Sequence, residues 1–196
     1  MTGVQTCALP ISIICYSSAG KKYPVASRDE LLTQVNSLRK KLTTYSLYAY
    51  AAIEDIFDKP ALESSLQLKV QRVESSVVEN LGGGNFKLSS LPLLAQISSV
   101  NGILTEDFNQ DGFIDILLAG NFYPFRTEYG PSDASMGLLL LGNGKGKFDP
   151  VPWGQSGFWV GGDVRNMQLL NGVPPKKYVV IARNNDKMSL IRFVKK

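Results

Sequence analysis

The chain has 196 residues, of which 44% are hydrophobic and 19% are charged, and its formal net charge is +4. This length and composition predict a single globular domain with a sizeable core. The sequence contains no histidine, which excludes Ser-His-Asp and Cys-His catalysis and histidine-ligated zinc. The two cysteines, Cys7 and Cys15, both lie near the start of the chain and predict no disulfide framework. The basic excess is modest and no apolar run approaches the roughly 18 residues of a membrane-spanning helix, so we expect neither a nucleic-acid partner nor a transmembrane segment.

Residues 1–11 differ in character from the rest of the chain. They have no basic n-region and no small-residue cleavage site, and Ile14 before Cys15 does not fit a lipoprotein-type cysteine. The string resembles a translated sequencing adapter joined to a truncated reading frame. We therefore expect this segment to be non-native, and we exclude it from the prediction of the fold.

The next part of the chain predicts a β-hairpin followed by helices. Residues 13–16 and 22–25 have strand character, and the turn residues 17–20 separate them. Ser27 and Glu30 have the spacing of a capping box, and an apolar stripe at helical spacing follows. A second stripe covers residues 45–57, and Pro60 should end it. Residues 27–60 are thus predicted to form a helical hairpin.

From about residue 66 onward the sequence has β character, with short apolar runs between Gly, Asn and Pro. Strands at this spacing predict an all-β sandwich, barrel or propeller. The predicted strands are residues 68–73, 76–80, 103–107, 114–120, 137–141, 167–170, 178–182 and 190–194.

Three landmarks each occur twice in the sequence, with nearly the same separation in all three. A Gly-x-Gly-x-Phe sequence ends at Phe86 and again at Phe148. The apolar run 116–121 resembles the run 179–184. Gln96 and Gln155 each come shortly after a proline. A shared period of this length, with about four strands in each unit, favours the blade of a β-propeller.

Residues 107–115 carry the strongest chemical signal, with the sequence Asp-Phe-Asn-Gln-Asp-Gly-Phe-Ile-Asp. Oxygen-bearing side chains at alternate positions, and a glycine that permits a sharp turn, are what a calcium loop needs. An EF-hand would need Glu at position 12, where Leu118 stands, and flanking helices. The alternative is an ordinary polar hairpin loop. The predicted calcium ligands are the side chains of Asp107, Asn109, Asp111 and Asp115 and the main-chain carbonyl of Phe113.

This loop and the downstream Gly-Asn-Gly-x-Gly-x-Phe sequence resemble the FG-GAP or VCBS repeat, which builds the seven-bladed propellers of integrin α-chains and of many bacterial surface proteins. Residues 22–31, 45–49 and 91–96 resemble a narrower branch. That branch comprises large bacterial VCBS-repeat proteins related to the ASPIC/UnbV group, in which a helical insertion lies between blades. The resemblance covers roughly residues 12–196.

The resemblance implies a mainly β fold. We expect a partial β-propeller of about two to three four-stranded blades with an inserted helical hairpin. Residues 12–26 would be partial blade strands, residues 27–60 the insertion and residues 61–196 the FG-GAP/VCBS-type blades. The four side chains named above carry over as calcium ligands, whereas residues 171–177 contain no carboxylate, so that loop should be metal-free. The chain is expected to be the C-terminal piece of a longer propeller whose remaining blades are missing.

The function implied is a non-catalytic, calcium-stabilised module for binding or adhesion. It would be secreted, periplasmic or on the outer surface of a bacterial cell, and its ligand would be a protein or a glycan. The alternative is the propeller portion of a larger secreted enzyme that acts on polysaccharide. Paired carboxylates for that chemistry would have to come from Glu106, Glu128, Asp133 or Asp163, and none of them lies in a recognisable motif.

Six aromatic residues allow two interpretations. Aromatic side chains commonly fill the core between sheets, and we expect that role here, as we do for Phe86 and Phe148. The alternative is an exposed aromatic platform for sugars. The six are Tyr123, Phe125, Tyr129, Trp153, Phe158 and Trp159.

Overall fold

The computed structural model of the chain describes residues 12–125, 129–172 and 177–193. Within these ranges the protein is mainly β, with eleven strands in small antiparallel sheets and a few short helices. The predicted mainly β class is therefore confirmed. In the described part of the chain, no helix is long and apolar enough to cross a membrane. The chain divides into two compact units, Met1–Val70 and Gln71–Lys196.

Among its described residues, the first unit contains a hairpin and most of the short helices. β1 (Cys15–Ser18) pairs with β2 (Lys21–Pro24), as the sequence predicts. Ala19 and Gly20 form the turn with φ values of +48° and +79°, the backbone that two-residue hairpin loops require. The helices that follow are α1 (Arg28–Gln34), a 3₁₀ helix (Asn36–Lys40), α2 (Tyr45–Ala49), α3 (Ile53–Ile56) and α4 (Lys59–Ser64).

This series of short helices replaces the predicted two-helix hairpin. The first helix ends at Val35, whose φ of −124° and ψ of 79° lie outside the helical region. Asp55 accepts a hydrogen bond from the Ala52 amide and starts α3 within the predicted second helix. Pro60 does not end a helix, because it lies in the first turn of α4, where its missing N–H costs nothing.

The predicted helix cap and the predicted buried residues of this unit are confirmed. Ser27 and Glu30 form the predicted capping box, with Ser27 Oγ accepting from the Glu30 amide and Glu30 Oε2 from the Ser27 amide. The predicted apolar stripe is buried as well. Its members Leu31, Leu32, Leu38 and Leu42 form one core with Ile56.

The described residues of the second unit form three antiparallel sheets in chain order. The first sheet pairs two strands, the second is a four-stranded meander and the third has three strands with its middle strand in the centre. The sheets are β3 (Ser76–Gly82) and β4 (Asn85–Ser90); β5 (Val100–Glu106), β6 (Asp115–Gly120), β7 (Leu138–Gly142) and β8 (Phe148–Val151); and β9 (Val164–Asn171), β10 (Lys177–Arg183) and β11 (Ser189–Phe193). A 3₁₀ turn (Leu93–Ala95) follows β4, and α5 (Trp153–Ser156) follows β8.

One predicted strand is absent from the structure, and two observed strands were not predicted. Residues 68–73 form no strand, and Leu68 and Val73 are 85% and 88% exposed. Alternating apolar residues make a strand only where a neighbour supplies hydrogen-bond partners. Two observed strands, β4 and β8, lie outside the predicted ones. Because β4 carries little apolar character and β8 contains Pro150 at a sheet edge, neither gives the usual strand signal.

The four-stranded sheet is covered on both faces. Leu117 and Ala119 of β6 lie in a core with Met167, Val179 and Ile181 of the third sheet. Ile116 and Leu118 of the same strand point the other way. They lie in a second core, against which Val77 of β3 and Leu91 pack. All six residues of β6 are therefore buried, which explains why its sequence is a continuous apolar run.

The hairpins β5–β6 and β9–β10 have the same register. Each has a pairing irregularity at the corresponding place, next to the pairs Val100–Gly120 and Val164–Arg183. After β6 the Asn121 amide donates to Ser99 O at 2.9 Å, and after β10 the Asn184 amide donates to Asp163 O at 2.8 Å. The runs 116–121 and 179–184 thus occupy equivalent positions in two successive sheets.

The other two landmarks also lie in corresponding places. Both Gly-x-Gly-x-Phe loops join paired strands, one connecting β3 to β4 and the other β7 to β8. Pro92 and Pro152 each begin the short helical turn that follows. The phenylalanines differ, because Phe148 packs against the core whereas Phe86 is 64% exposed. The expectation that both are buried between sheets is wrong for Phe86.

Candidate metal site

The Asp-rich segment forms the loop between β5 and β6. Its path needs two residues with positive φ, Gln110 at +64° and Gly112 at +92°. Glycine adopts such a backbone without steric cost, which is the physical reason for the Gly at this position. Asp107 is half-buried at the start of the loop, Asn109, Asp111 and Phe113 are exposed, and Asp115 at its end is fully buried.

The structure brings three of the predicted ligands together. The Asp111 amide donates to Asp107 Oδ1 at 3.1 Å and to Asn109 Oδ1 at 3.0 Å. Asn109 Nδ2 donates to Asp111 Oδ2 at 2.8 Å, and the Gly112 amide donates to Asp107 Oδ2 at 3.0 Å. The Phe113 amide closes the turn with a 2.8 Å bond to Asp111 Oδ1. These side chains therefore lie around one turn of the main chain.

Asp115 has a different environment. Its Oδ2 accepts hydrogen bonds from the Phe108 amide at 2.9 Å and the Asn109 amide at 3.4 Å, and its Oδ1 accepts from the Gly142 amide at 2.9 Å. A buried carboxylate needs such donors to replace the water it has lost. Asp115 consequently ties the start of the loop to the end of β7.

The neighbouring loop between β7 and β8 supports this arrangement through its glycines. A Cβ added to Gly142 would lie 2.0 Å from the carbonyl oxygen of Ile114. A Cβ added to Gly144, whose φ is +68°, would lie 2.5 Å from the ring of Phe113. The Gly-Asn-Gly sequence therefore lets the two loops lie against each other. Gly142 is the partner of Asp115 that sequence reasoning missed, although its motif marked the position.

The donor chemistry of the loop fits a hard cation. A carboxylate has about four acceptor positions, and Asp107 and Asp111 each accept two of the hydrogen bonds given above, so both retain acceptor capacity. Asp115 accepts three and retains less. Among the described residues, none of the ion pairs involves these three carboxylates.

The described residues contain no cluster of three or more His, Cys, Asp or Glu that could hold a metal ion. Asn109, whose amide oxygen is one of the predicted ligands, is not among those residue types. Asp107, Asn109 and Asp111 are thus the residues that could hold calcium together. Asp115 is bonded to other main-chain amides, and the roles of Asp115 and of the Phe113 carbonyl as ligands stay predictions.

The carboxylates considered for glycoside cleavage do not gather. Glu106, at the end of β5, accepts a hydrogen bond from Lys177 Nζ at 2.8 Å. Asp163 lies before β9, at the end of the β9–β10 hairpin away from its loop, whereas Glu106 lies at the loop end of the β5–β6 hairpin. Asp163 is 2% exposed. Its Oδ2 pairs with Arg165 at 2.8 Å, while its Oδ1 has no partner in the described part of the chain. Asp133 is exposed, and Glu128 lies outside the described residues.

The aromatic residues are more exposed than the sequence predicts. Only Phe158 among the six belongs to the core, at 1% exposure. Trp153 and Trp159 are 57% and 67% exposed, and their rings stack at 6.1 Å with an interplanar angle of 29°. The others are exposed as well, and Phe125 lies 5.8 Å from Tyr129. The expectation of a role in the core is wrong for Tyr123, Phe125, Tyr129, Trp153 and Trp159.

Comparison of the chain with protein-family models, with curated proteins and with solved structures found no match. The similarity to the FG-GAP or VCBS repeat consequently rests on the sequence motifs and stays a prediction. The geometry of the loop and the repeated arrangement of the sheets are the two observations on which a function can be argued.

Proposed function

We propose that this protein is a calcium-binding β-propeller repeat module that acts in extracellular or cell-surface binding, without catalysis of its own. The observation that carries the proposal is the loop between β5 and β6. It places the side-chain oxygens of Asp107, Asn109 and Asp111 around a single turn. The bacterial origin and the secreted, periplasmic or outer-surface location come from the FG-GAP/VCBS resemblance and belong to the same proposal.

Three features support successive propeller blades. The three sheets follow one another in chain order, and the middle sheet is covered by its neighbours on both faces. The first strand of one sheet lies beside the first strand of the next, since Asn101 Nδ2 donates to Val164 O at 3.0 Å and Gly102 lies against Met167. Equivalent hairpins share one register. Antiparallel meanders packed in this order are the elements of a propeller.

Calcium would supply the missing positive charge to the loop. Asp107 and Asp111 lie within one turn, and carboxylates held so close repel one another unless a cation or a proton is present. A hard cation that takes six to eight oxygen ligands suits this donor set. In modules that meet millimolar extracellular calcium, such a site need not be tight. Its role here is structural, because it orders the turn between two strands.

The test is thermal unfolding of the chain with calcium and with a chelator. We expect millimolar calcium to raise the Tm and Asp111→Ala to abolish the rise. Asp149→Ala, which removes an exposed carboxylate from β8 outside the loop, is the matched control and should keep the full response. An unchanged melting curve on chelation would remove the basis of the proposal.

The exposed aromatic residues are surfaces that a glycan ligand would use. Sugar rings stack on flat aromatic faces, and the exposed Trp153–Trp159 pair offers such faces. We expect the chain to bind glycans on an array and Trp159→Ala to remove this binding while the calcium response stays intact.

A polysaccharide-active parent enzyme remains the second candidate from the sequence. Release of product from polysaccharide by this chain would favour that candidate.

A further inference from the structure

The stack of sheets in the second unit ends in two faces that no other sheet of this unit covers within its described residues. In the third sheet, Val179, Ile181 and Met167 point into the core shared with the middle sheet. Because side chains alternate along a strand, Val180 and its cross-strand neighbours Gln168 and Leu190 point the other way. Leu190 is 61% and the adjacent Leu170 is 50% exposed. We call these residues the β10 face.

The β10 face has a packed counterpart inside the same molecule. Val180 lies between Gln168 and Leu190 in its sheet, as Leu117 lies between Leu104 and Leu139 in the middle sheet. Leu117 is fully buried, because its face packs on the third sheet. The β10 face is therefore the same kind of surface without a covering sheet, with Gln168 in place of Leu104 as the main difference.

The first sheet, at the opposite end of the stack, also has one packed side and one exposed side. Val77 of the first sheet points into the core shared with the middle sheet. Val78, Phe86 and Leu88 lie on the other side and are 59%, 64% and 43% exposed. We call these residues the β3 face. Its counterparts in the middle sheet are Leu140 and Phe148, which belong to the core that the first sheet covers.

We propose that two copies of this chain associate head to tail, with the β10 face of one copy packed on the β3 face of the next. Such a contact continues an interface that the chain already forms twice between its own sheets. Inside the chain, the side of the first sheet that corresponds to the β10 face packs on the side of the middle sheet that corresponds to the β3 face. The middle and third sheets pack on each other in the same way. A second copy of the chain presents that same pair of surfaces. Because the contact is heterologous, it adds copies until a ring closes or a chain of copies grows.

This inference rests on sheet packing alone and does not depend on calcium or on the proposed ligand. Large exposed apolar side chains grouped on one face are a common site of protein association. Sedimentation of the full-length chain over a range of concentrations tests the idea directly. We expect a mass above that of the monomer that rises with concentration, in the presence of calcium and in the presence of a chelator.

Two variants separate the two faces. Leu190→Glu blocks the β10 face, and Phe86→Glu blocks the β3 face, both at exposed positions where the fold should tolerate a charge. Each variant alone should be a monomer, and their equimolar mixture should form a one-to-one dimer and nothing larger. Leu93→Glu, at a position 80% exposed in the turn after β4, is the matched control and should assemble as the unmodified chain does.

The outcomes distinguish this arrangement from the others. A monomer at every concentration, or a mixture of the two variants that stays monomeric, overturns the proposal. If one variant alone still forms dimers, the contact joins like faces instead and the proposal also fails. Circular dichroism and thermal unfolding of each variant establish that a loss of assembly is not a loss of fold. Failure of the calcium test leaves these outcomes unchanged, because the variants do not touch the loop.

Discussion

The hairpins β5–β6 and β9–β10 pair their strands in the same way but differ at the end where the loop joins the two strands. They share the register, the position of the pairing irregularity and the main-chain bond after the second strand. At the loop end the first hairpin has Asp115 buried opposite Glu106, whereas the second has Tyr178 opposite Leu170. In this protein the strand pairing stays the same while the residues at the loop end change. A repeat can keep its place in the stack while its loop gains or loses a candidate metal site.

The largest expected effect comes from Asp115→Ala. The substitution leaves the buried Gly142 amide and the partly buried Phe108 and Asn109 amides without their acceptor. We expect a loss of about 3–5 kcal/mol in the free energy of unfolding. Urea unfolding measures it, and Asp149→Ala serves as the control. A loss below about 1 kcal/mol would show that Asp115 does not hold the loop to β7.

The next effect compares equivalent apolar positions in the two hairpins. Leu117→Ala should cost about 2–5 kcal/mol, because the side chain is fully buried between two sheets. Val180→Ala should cost less than about 1 kcal/mol when measured at a protein concentration low enough for the monomer. Equal losses of stability at the two positions would contradict the conclusion that another sheet covers Leu117 but not Val180.

Calcium should affect the first hairpin by a smaller amount. At about ten times the dissociation constant, ligand binding contributes about 1.4 kcal/mol, which corresponds to a rise in Tm of roughly 3–8 °C. Asp111→Ala should remove this gain while changing the stability without calcium by less than about 1 kcal/mol, because Asp111 is exposed. Calorimetry with and without chelator measures both quantities. A large loss without calcium would instead make Asp111 a structural residue of the loop.

The smallest expected effect concerns the ion pair that joins the two hairpins. Lys177 Nζ lies 2.8 Å from Glu106 Oε1, and both side chains are partly exposed. Lys177→Met should cost about 0.2–1 kcal/mol, and the cost should shrink as the salt concentration rises. Lys145→Met, at an exposed position in the β7–β8 loop, is the control. A cost that does not depend on salt would indicate lost packing of the lysine stem.

Much of the fold of the second unit could be predicted from the sequence. The apolar run in β6 and its partner in β10 indicated both strands, and the repeat period indicated their equivalence. The helical part of the first unit could not be predicted correctly. Its apolar stripe is real, but the breaks at Val35 and before Asp55 depend on how each short helix packs and caps.

The candidate site could also be predicted only in part from the sequence. The spacing of Asp107, Asn109 and Asp111 predicted their proximity, because a tight loop brings alternate residues to one side. The partner of Asp115 could not be predicted, because Gly142 is far away along the chain and meets it only when β7 pairs with β6.

The sequence by itself determined the strand periodicity, the repeat and the oxygen-rich loop, since these depend on side-chain type and local spacing. Tertiary structure decided which surfaces are covered. Phe86 and Phe148 occupy the same place in one motif, yet Phe86 is exposed and Phe148 packs against a core. The physical reason is that burial depends on the neighbouring sheet, and only the middle sheet of the stack has a neighbour on each side within the described part of the chain.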